Sequence, residues 1–154
     1  MMKQRIKINE TGREAITALY PLNKYLAKSS IENALFDLVH FRVSQINKCA
    51  FCLDMHSKDL RAMGESEQRL YVLDAWREAP FYSDREKAAL AWAEALTQLG
   101  SGSVPDEIYE NARTQFSEQE LIDLTMGVIA INSYNRINIA FGADVGSYKV
   151  GQFA

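Results

Sequence analysis

The chain has 154 residues, enough for one domain with a substantial buried core. Its 47% hydrophobic and 24% charged residues are typical of a globular protein, and a net charge of −3 without dense Lys and Arg clusters argues against nucleic acid as a partner. Residues 1–7 do not resemble a secretory signal, and no apolar run approaches the roughly 20 residues of a membrane span. We therefore expect a cytoplasmic protein with one domain over residues 1–154 and no membrane partner.

Helix signals recur along the whole chain, whereas strand patterns of period two do not. Four hydroxyl residues are followed three positions later by glutamate, the pattern of a capping box: Thr11, Ser29, Ser83 and Ser117. Three glycines stand where C-terminal caps are expected: Gly64, Gly100 and Gly142. The predicted helices cover residues 11–19, a short segment after Pro21, then 30–46, 48–63, 66–76, 84–99, about 105–116, and 118–141. This pattern predicts an all-α fold of seven to eight helices.

The last predicted helix carries asparagines at every third position, namely Asn132, Asn135 and Asn138, among isoleucines on its other sides. Asparagine is a poor helix former, so the repeat calls for an explanation. The amides belong to a buried hydrogen-bonded network, or the helix packs against another subunit. A polar stripe that faces solvent is the third interpretation.

The two cysteines, Cys49 and Cys52, stand three positions apart, and His56 follows four positions later. With Asn47 as the N-cap of the helix at 48–63, Cys49 falls in the first helical turn, where unpaired N–H groups and the helix dipole favour a thiolate. At 100° per residue, the two cysteines and His56 lie within about 60° of one helix face. The thiols are close enough to form a disulfide, and the imidazole can reach the second sulfur.

This constellation favours thiol redox chemistry, because the thiolate is the attacking species and a second cysteine resolves a sulfenic acid into a disulfide. Two inert buried cysteines are a weaker interpretation. A zinc site is also weaker, because Cys49, Cys52 and His56 supply only three ligands and His40 is the only other histidine. We expect no metal, and no organic cofactor either, since no Gly-rich phosphate-binding turn is present.

The segment from Val43 to Cys52, VSQINKCAFC, followed by His56, closely resembles the core motif of the alkylhydroperoxidase D-like proteins of the carboxymuconolactone decarboxylase superfamily. Residues 75–81 and 84–94 are similar to that family as well. The resemblance implies an all-helical fold that assembles as a homo-oligomer, a trimer or hexamer. It also implies a peroxidase-like enzyme whose thiol pair reduces organic hydroperoxides, and a reductant that is a lipoyl-type dithiol carrier or a thioredoxin-like protein.

The resemblance further implies a proton relay from a glutamate on the preceding helix, through the histidine, to the cysteines. The matching position, twelve before Cys49, is Asp37, which is one methylene shorter, so that its bond to His56 is expected to be broken or bridged by water. Phe51 stands where some members have histidine. His40, one turn after Asp37, either replaces part of the relay or simply packs in the interior.

The leading hypothesis is a thiol-dependent peroxidase in which Cys49 and Cys52 cycle between dithiol and disulfide, with His56 as general base and Asp37 orienting it. The alternative is a redox-responsive binding or regulatory protein that forms the same disulfide without fast turnover. A third possibility, decarboxylation of a lactone, is disfavoured because the resemblance associates that branch with the lack of a cysteine pair.

Overall fold

The computed structural model describes residues 4–100 and 102–153, and these residues form helices joined by short loops. The helices are α1 (Ile8–Thr11), α2 (Arg13–Thr17), α3 (Tyr20–Leu26), α4 (Asn33–Asn47), α5 (Ala50–Ala62), α6 (Glu67–Tyr71), α7 (Asp84–Thr97), α8 (Asp106–Gln115) and α9 (Glu118–Phe141), with a 3-10 turn at Leu73–Ala75. No β-strand occurs within these two ranges, which confirms the all-α prediction. None of the described helices is both long and apolar enough to cross a membrane.

Helix α4 lies at the centre of the fold, in contact with α5, α7 and α9. One face of α4, which includes Leu35, Val39 and Val43, belongs to an apolar cluster shared with α7, α8 and α9. Leu38 and Phe41 belong to a second cluster shared with α5, α6, the 3-10 turn and α7. Burial on both sides holds α4 firmly, so its polar side chains are placed with little freedom.

Several predicted helix ends are confirmed by the geometry of the backbone. Ser83 and Ser117 each form a complete capping box at the start of α7 and α9. Helix α9 runs over the predicted residues 118–141 and ends at Gly142, which adopts the left-handed conformation with φ of 69°. Gly64, with φ of 95°, follows the end of α5 as expected.

The predicted capping box at Thr11 is wrong, because Thr11 is the last residue of α1 rather than the residue before a helix. The single helix expected at 11–19 is instead divided at Gly12 into α1 and α2. Gly100 is not a cap either: α7 ends at Thr97 and Gln98 is its C-cap. A hydroxyl–glutamate spacing forms a cap only where the hydroxyl residue immediately precedes the helix, and the spacing alone does not fix that position.

The box predicted at Ser29 is also wrong, because Glu32 is the residue that precedes α4. Its carboxylate does not cap the helix and instead accepts hydrogen bonds of 3.1 Å from both Nε and Nη2 of Arg85. A bidentate bond to arginine is stronger than a bond to a backbone N–H, so Glu32 bonds to Arg85 and not to the start of the helix.

A buried ion pair joins α4 to α7. Arg42 Nε donates to Glu94 Oε1 at 2.7 Å, and both side chains are only 10% exposed. Trp76 Nε1 donates to the same oxygen at 2.9 Å, and Arg77 pairs with the other oxygen at 2.6 Å. Burial acts to raise the pKa of Glu94, but the hydrogen bonds from Trp76, Arg42 and Arg77 together lower it below its ordinary value.

Candidate functional site

The junction between α4 and α5 places the cysteine pair. Asn47 is the last residue of α4, Lys48 turns the chain in the left-handed conformation with φ of 57°, and Cys49 is the N-cap of α5. The prediction that Asn47 caps this helix is therefore wrong by two residues. Cys49 consequently occupies the cap position itself rather than the first helical turn.

The side chain of Asn47 has a different role, which explains why it does not cap α5. Its Nδ2 donates to Oδ1 of Asn132 and Oδ1 of Asn135, each at 2.9 Å. Asn135 Nδ2 donates in turn to Ser44 Oγ at 3.1 Å, and Asn135 is fully buried. We call Ser44, Asn47, Asn132 and Asn135 the amide network. It bears out the buried-network interpretation of the asparagine repeat and ties α4 to α9.

The sulfur atoms of Cys49 and Cys52 are joined in a disulfide, with a Cα–Cα distance of 5.3 Å. Cys49 Sγ also accepts the backbone N–H of Cys52 at 3.4 Å, so this sulfur caps α5. Asn138 Nδ2 on α9 donates to Cys52 Sγ at 3.4 Å. Each cysteine is 1% exposed. Both sulfurs thus lie in the interior, each in contact with one hydrogen-bond donor.

The contact of Asn138 with a sulfur was missed by the sequence analysis. The asparagine repeat marked this residue as unusual, but its partner lies 86 residues earlier in the chain. Only the packing of α9 against α5 brings the amide to the disulfide. No local pattern distinguishes Asn138 from the two asparagines that bond to Asn47.

The side chains of Asp37, His40 and His56 meet where α4 packs on α5, and we call these three residues the imidazole cluster. Each offers one ligand-type atom, and these atoms lie within 4.8 Å of one another. Asp37 Oδ1 is 3.4 Å from His56 Nδ1, and the two imidazole rings are 5.2 Å apart. The geometry between Asp37 and His56 does not make a hydrogen bond, as the shorter aspartate led us to expect.

His40 is a partly buried residue of α4. Its ring stacks on Phe36 at 5.8 Å, and its Nε2 is shielded from solvent. Burial lowers the pKa of His40 to about 3, with a further lowering by the nearby charge of His56 and smaller opposing contributions from Asp37 and Gly127. A Cβ added to Gly127 would lie 2.6 Å from the Phe36 ring, so the missing side chain allows this close approach.

The four residues predicted to form the site thus lie on two packed helices, with Cys49 at the N-cap of α5, Cys52 and His56 within α5, and Asp37 on α4. His56 is one turn beyond Cys52, yet neither of its ring nitrogens has a hydrogen-bond partner among the described residues. The arrangement holds a two-electron redox couple, the cysteine pair, next to a buried imidazole and a carboxylate. The same imidazole and carboxylate are the groups that could hold a metal ion.

Residues 13–95 match the model of the carboxymuconolactone decarboxylase family. The uncharacterized protein YdfG of Bacillus subtilis is 46% identical over 92% of this chain and 96% of its own. A solved structure from Agrobacterium tumefaciens, ATU0492, is 37% identical and superposes with a TM-score of 0.90 over 95% of this chain and all of that one. It is described as a protein of unknown function with a provisional assignment to the antioxidant defence protein AhpD.

The debrominase Bmp8 shares the fold, with a TM-score of 0.78 over 90% of this chain and 74% of its own, at 19% identity. At that identity the likeness concerns the fold alone. The family match, the YdfG relative and the AhpD-type structure all cover the segment with Cys49, Cys52 and His56. This chain therefore belongs to the carboxymuconolactone decarboxylase family, as an alkylhydroperoxidase D-like member.

Proposed function

We propose that this protein is a thiol-dependent peroxidase that reduces organic hydroperoxides through Cys49 and Cys52. The observation that carries the proposal is the position of the sulfur pair: Cys49 caps α5 and accepts the Cys52 N–H, and Cys52 accepts Asn138 Nδ2. In the reduced protein, donors beside both sulfurs stabilise the negative charge that peroxide chemistry needs and so oppose the cost of burying it. The AhpD-type and peroxidase-related structures with this fold support the same assignment.

In the proposed cycle one thiolate attacks the hydroperoxide, the O–O bond breaks, and the alkoxide leaves as the alcohol after it takes up a proton. The attacking sulfur becomes a sulfenic acid. The second sulfur then displaces its oxygen, so that the S–S bond forms and water leaves. A dithiol reductant, of the lipoyl carrier or thioredoxin-like type, reduces the disulfide by exchange and is itself oxidised.

His56 serves this cycle as the general base that withdraws the thiol proton, and Asp37 orients the imidazole. Asp37 Oδ1 stands 3.4 Å from His56 Nδ1, so the orientation is looser than a direct hydrogen bond provides. A loose orientation predicts slow turnover in the native chain. The homo-oligomer, trimer or hexamer, and the cytoplasmic location remain predictions that accompany this proposal.

The first experiment measures consumption of cumene hydroperoxide and hydrogen peroxide by the reduced protein with excess dithiol. We expect many turnovers per subunit, and none in Cys49→Ser or Cys52→Ser. Trapping of a sulfenic acid in only one of the two variants will identify the attacking sulfur. Asp59→Asn, on the same helix as the cysteines and bonded to Tyr148 instead, is the matched control and is expected to keep the native rate.

A second set of variants tests the relay. Asp37→Glu adds the methylene that the shorter side chain lacks and is expected to raise turnover. Asp37→Asn and His56→Gln are expected to lower turnover by at most about 10²–10⁴-fold, the contribution of general base catalysis.

Wild-type turnover in either single-cysteine variant would contradict the cycle. A single stoichiometric oxidation of the native protein would instead support a redox-responsive binding protein, an outcome with which the burial of both cysteines is consistent.

A further inference from the structure

The imidazole cluster contains buried nitrogen atoms that no described residue satisfies. Nε2 of His40 and both ring nitrogens of His56 are shielded from solvent and lack a hydrogen-bond partner within residues 4–100 and 102–153. A neutral imidazole has one donor and one acceptor nitrogen, and each buried group left unpaired costs about 1–3 kcal/mol. One nitrogen from each of the two imidazoles can face a common ligand, so these unpaired atoms call for a group that the side chains themselves do not supply.

The chemistry of the three side chains selects a cation as that ligand. Asp37 contributes a carboxylate that is 25% exposed, which leaves a path from solvent. Nε2 of His40 and the ring nitrogens of His56 have no hydrogen-bond partner among the described residues, so each ring has a nitrogen available to a cation. Two imidazoles and a carboxylate are the donor set of His₂-carboxylate metal centres.

The spacing of the donor atoms agrees with this choice. Two ligand atoms that each lie about 2.1 Å from a tetrahedral ion are about 3.4 Å apart. Asp37 Oδ1 and His56 Nδ1 are 3.4 Å apart, too far for a good hydrogen bond between them but suited to joint coordination. The whole set lies within 4.8 Å, so a small movement of the His40 ring completes the site.

We propose that Asp37, His40 and His56 bind a divalent transition-metal ion of the Zn²⁺ type, with the remaining coordination position left to water. This site differs from a cysteine zinc site, because no sulfur is a ligand. Binding itself does not rest on the proposed function. Its consequence does: a lone pair of His56 is then committed to the ion, so the metal suppresses the thiol peroxidase cycle by removing its general base.

The test uses the untagged full chain with Cys49 and Cys52 oxidised, so that thiolates cannot contribute ligands. Calorimetric titration with Zn²⁺ is expected to give one ion per chain, and Co²⁺ is expected to give the visible absorption of a four-coordinate site. His40→Gln and Asp37→Asn are each expected to weaken Zn²⁺ binding at least about tenfold, since even loss of a supporting group outside the ligand set costs that much. Asp59→Asn, on the same helix as His56, is expected to bind as the native protein does.

An oxidised protein that shows no saturable Zn²⁺ binding would overturn the proposal, as would unchanged affinity in His40→Gln. Circular dichroism of both variants verifies folding, and Asp37→Asn decides the matter if His40→Gln does not fold. In peroxide turnover, Zn²⁺ is expected to inhibit the native protein, and half-inhibition of His40→Gln, relative to that variant's own metal-free rate, is expected to need at least about tenfold more Zn²⁺. If the native protein turns over no peroxide, the proposed function fails while the titration still decides the metal site.

Discussion

The amide network joins α4 to α9 and the imidazole cluster joins α4 to α5, and the two groups of polar side chains differ in how completely they are paired. In the amide network, Asn47, Asn132 and Asn135 bond to one another and to neighbouring hydroxyl groups. The nearby Arg42–Glu94 pair is satisfied as well. In the imidazole cluster three nitrogens have no described partner. The paired groups hold helices together, whereas the unpaired ones lie at the proposed catalytic and metal site.

The largest effect is expected where a fully paired ionic group loses its partner. Glu94→Leu removes the buried counter-charge of Arg42, which then keeps only its ion pair with the exposed carboxylate of Asp74. We therefore expect the free energy of unfolding to fall by about 3 kcal/mol, the lower end of the range for a broken buried pair, measured by urea denaturation. Glu94→Gln keeps an acceptor for Trp76 and is the milder control. A loss below about 1 kcal/mol in Glu94→Leu would show that the pair is not held as described.

The amide network provides the next test. Asn135→Ala removes a fully buried amide, which deprives Ser44 of a donor and Asn47 of one of its two acceptors, so we expect the free energy of unfolding to fall by about 1–3 kcal/mol. Ser133→Ala, two positions earlier on α9, changes only a hydroxyl that bonds within its own helix and is expected to stay within about 0.5 kcal/mol. Equal losses of stability in the two variants would show that the amide network contributes no more than a hydroxyl bonded within its own helix.

The imidazole cluster is expected to make the free energy of unfolding depend on pH. Because the pKa of His40 is lowered to about 3 in the fold, the unfolded chain binds a proton there at higher pH than the native protein does. His40 therefore contributes to stability above the pKa of about 6.5 that it has when unfolded, and this contribution is lost as pH falls towards 3.

We expect the metal-free native protein to lose about 1–2 kcal/mol through this group between pH 6.5 and 5, measured by urea denaturation. His40→Phe keeps an aromatic ring against Phe36 and is expected to lack this contribution, and at neutral pH to be no less stable than the native protein. Parallel pH profiles for the two proteins would mean that His40 titrates normally.

The smallest expected effect concerns Lys48, which joins the helix of the amide network to the helix of the cysteines. Its φ of 57° lies in the left-handed region, where a residue with a Cβ is strained by about 1–2 kcal/mol. Glycine relieves this strain, but it also makes the unfolded chain more flexible, which cancels part of the gain in stability. Lys48→Gly is therefore expected to raise stability by about 0.5–1 kcal/mol, seen as a rise in Tm. Lys48→Ala removes the charge but keeps the Cβ, and a similar gain there would assign the effect to charge instead.

Local chemistry was sufficient to predict the helices whose ends carry their own signals. Helix α9 was predicted at both ends, because Ser117 caps its first turn with Glu120 and Gly142 tolerates the left-handed conformation that ends it. The apolar stripe of α4 was likewise visible from its spacing. These features depend on residues within a few positions of one another, so they can be predicted from the local sequence.

The start of α5 could not be predicted in that way, because Asn47 had two uses. Asparagine is a favoured helix cap, but in the fold the Asn47 amide donates a hydrogen bond to Asn132, 85 positions later. The same applies to Asn138, which the repeat singled out without indicating its bond to Cys52. Which partner a side chain bonds depends on the strength of each hydrogen bond and on the position of the partner, and long-range partners become available only after the helices have packed.

By itself the sequence determined the all-α class and the proximity of the two cysteines to His56, since spacing along a helix places these three residues on one face. Only the tertiary structure decided that Cys49 caps α5, that Asp37 stops 3.4 Å short of a direct bond to His56, and that His40 joins them. The physical reason is that helix periodicity fixes angles within one element, whereas distances between α4 and α5 follow from the side chains that fill the space between them.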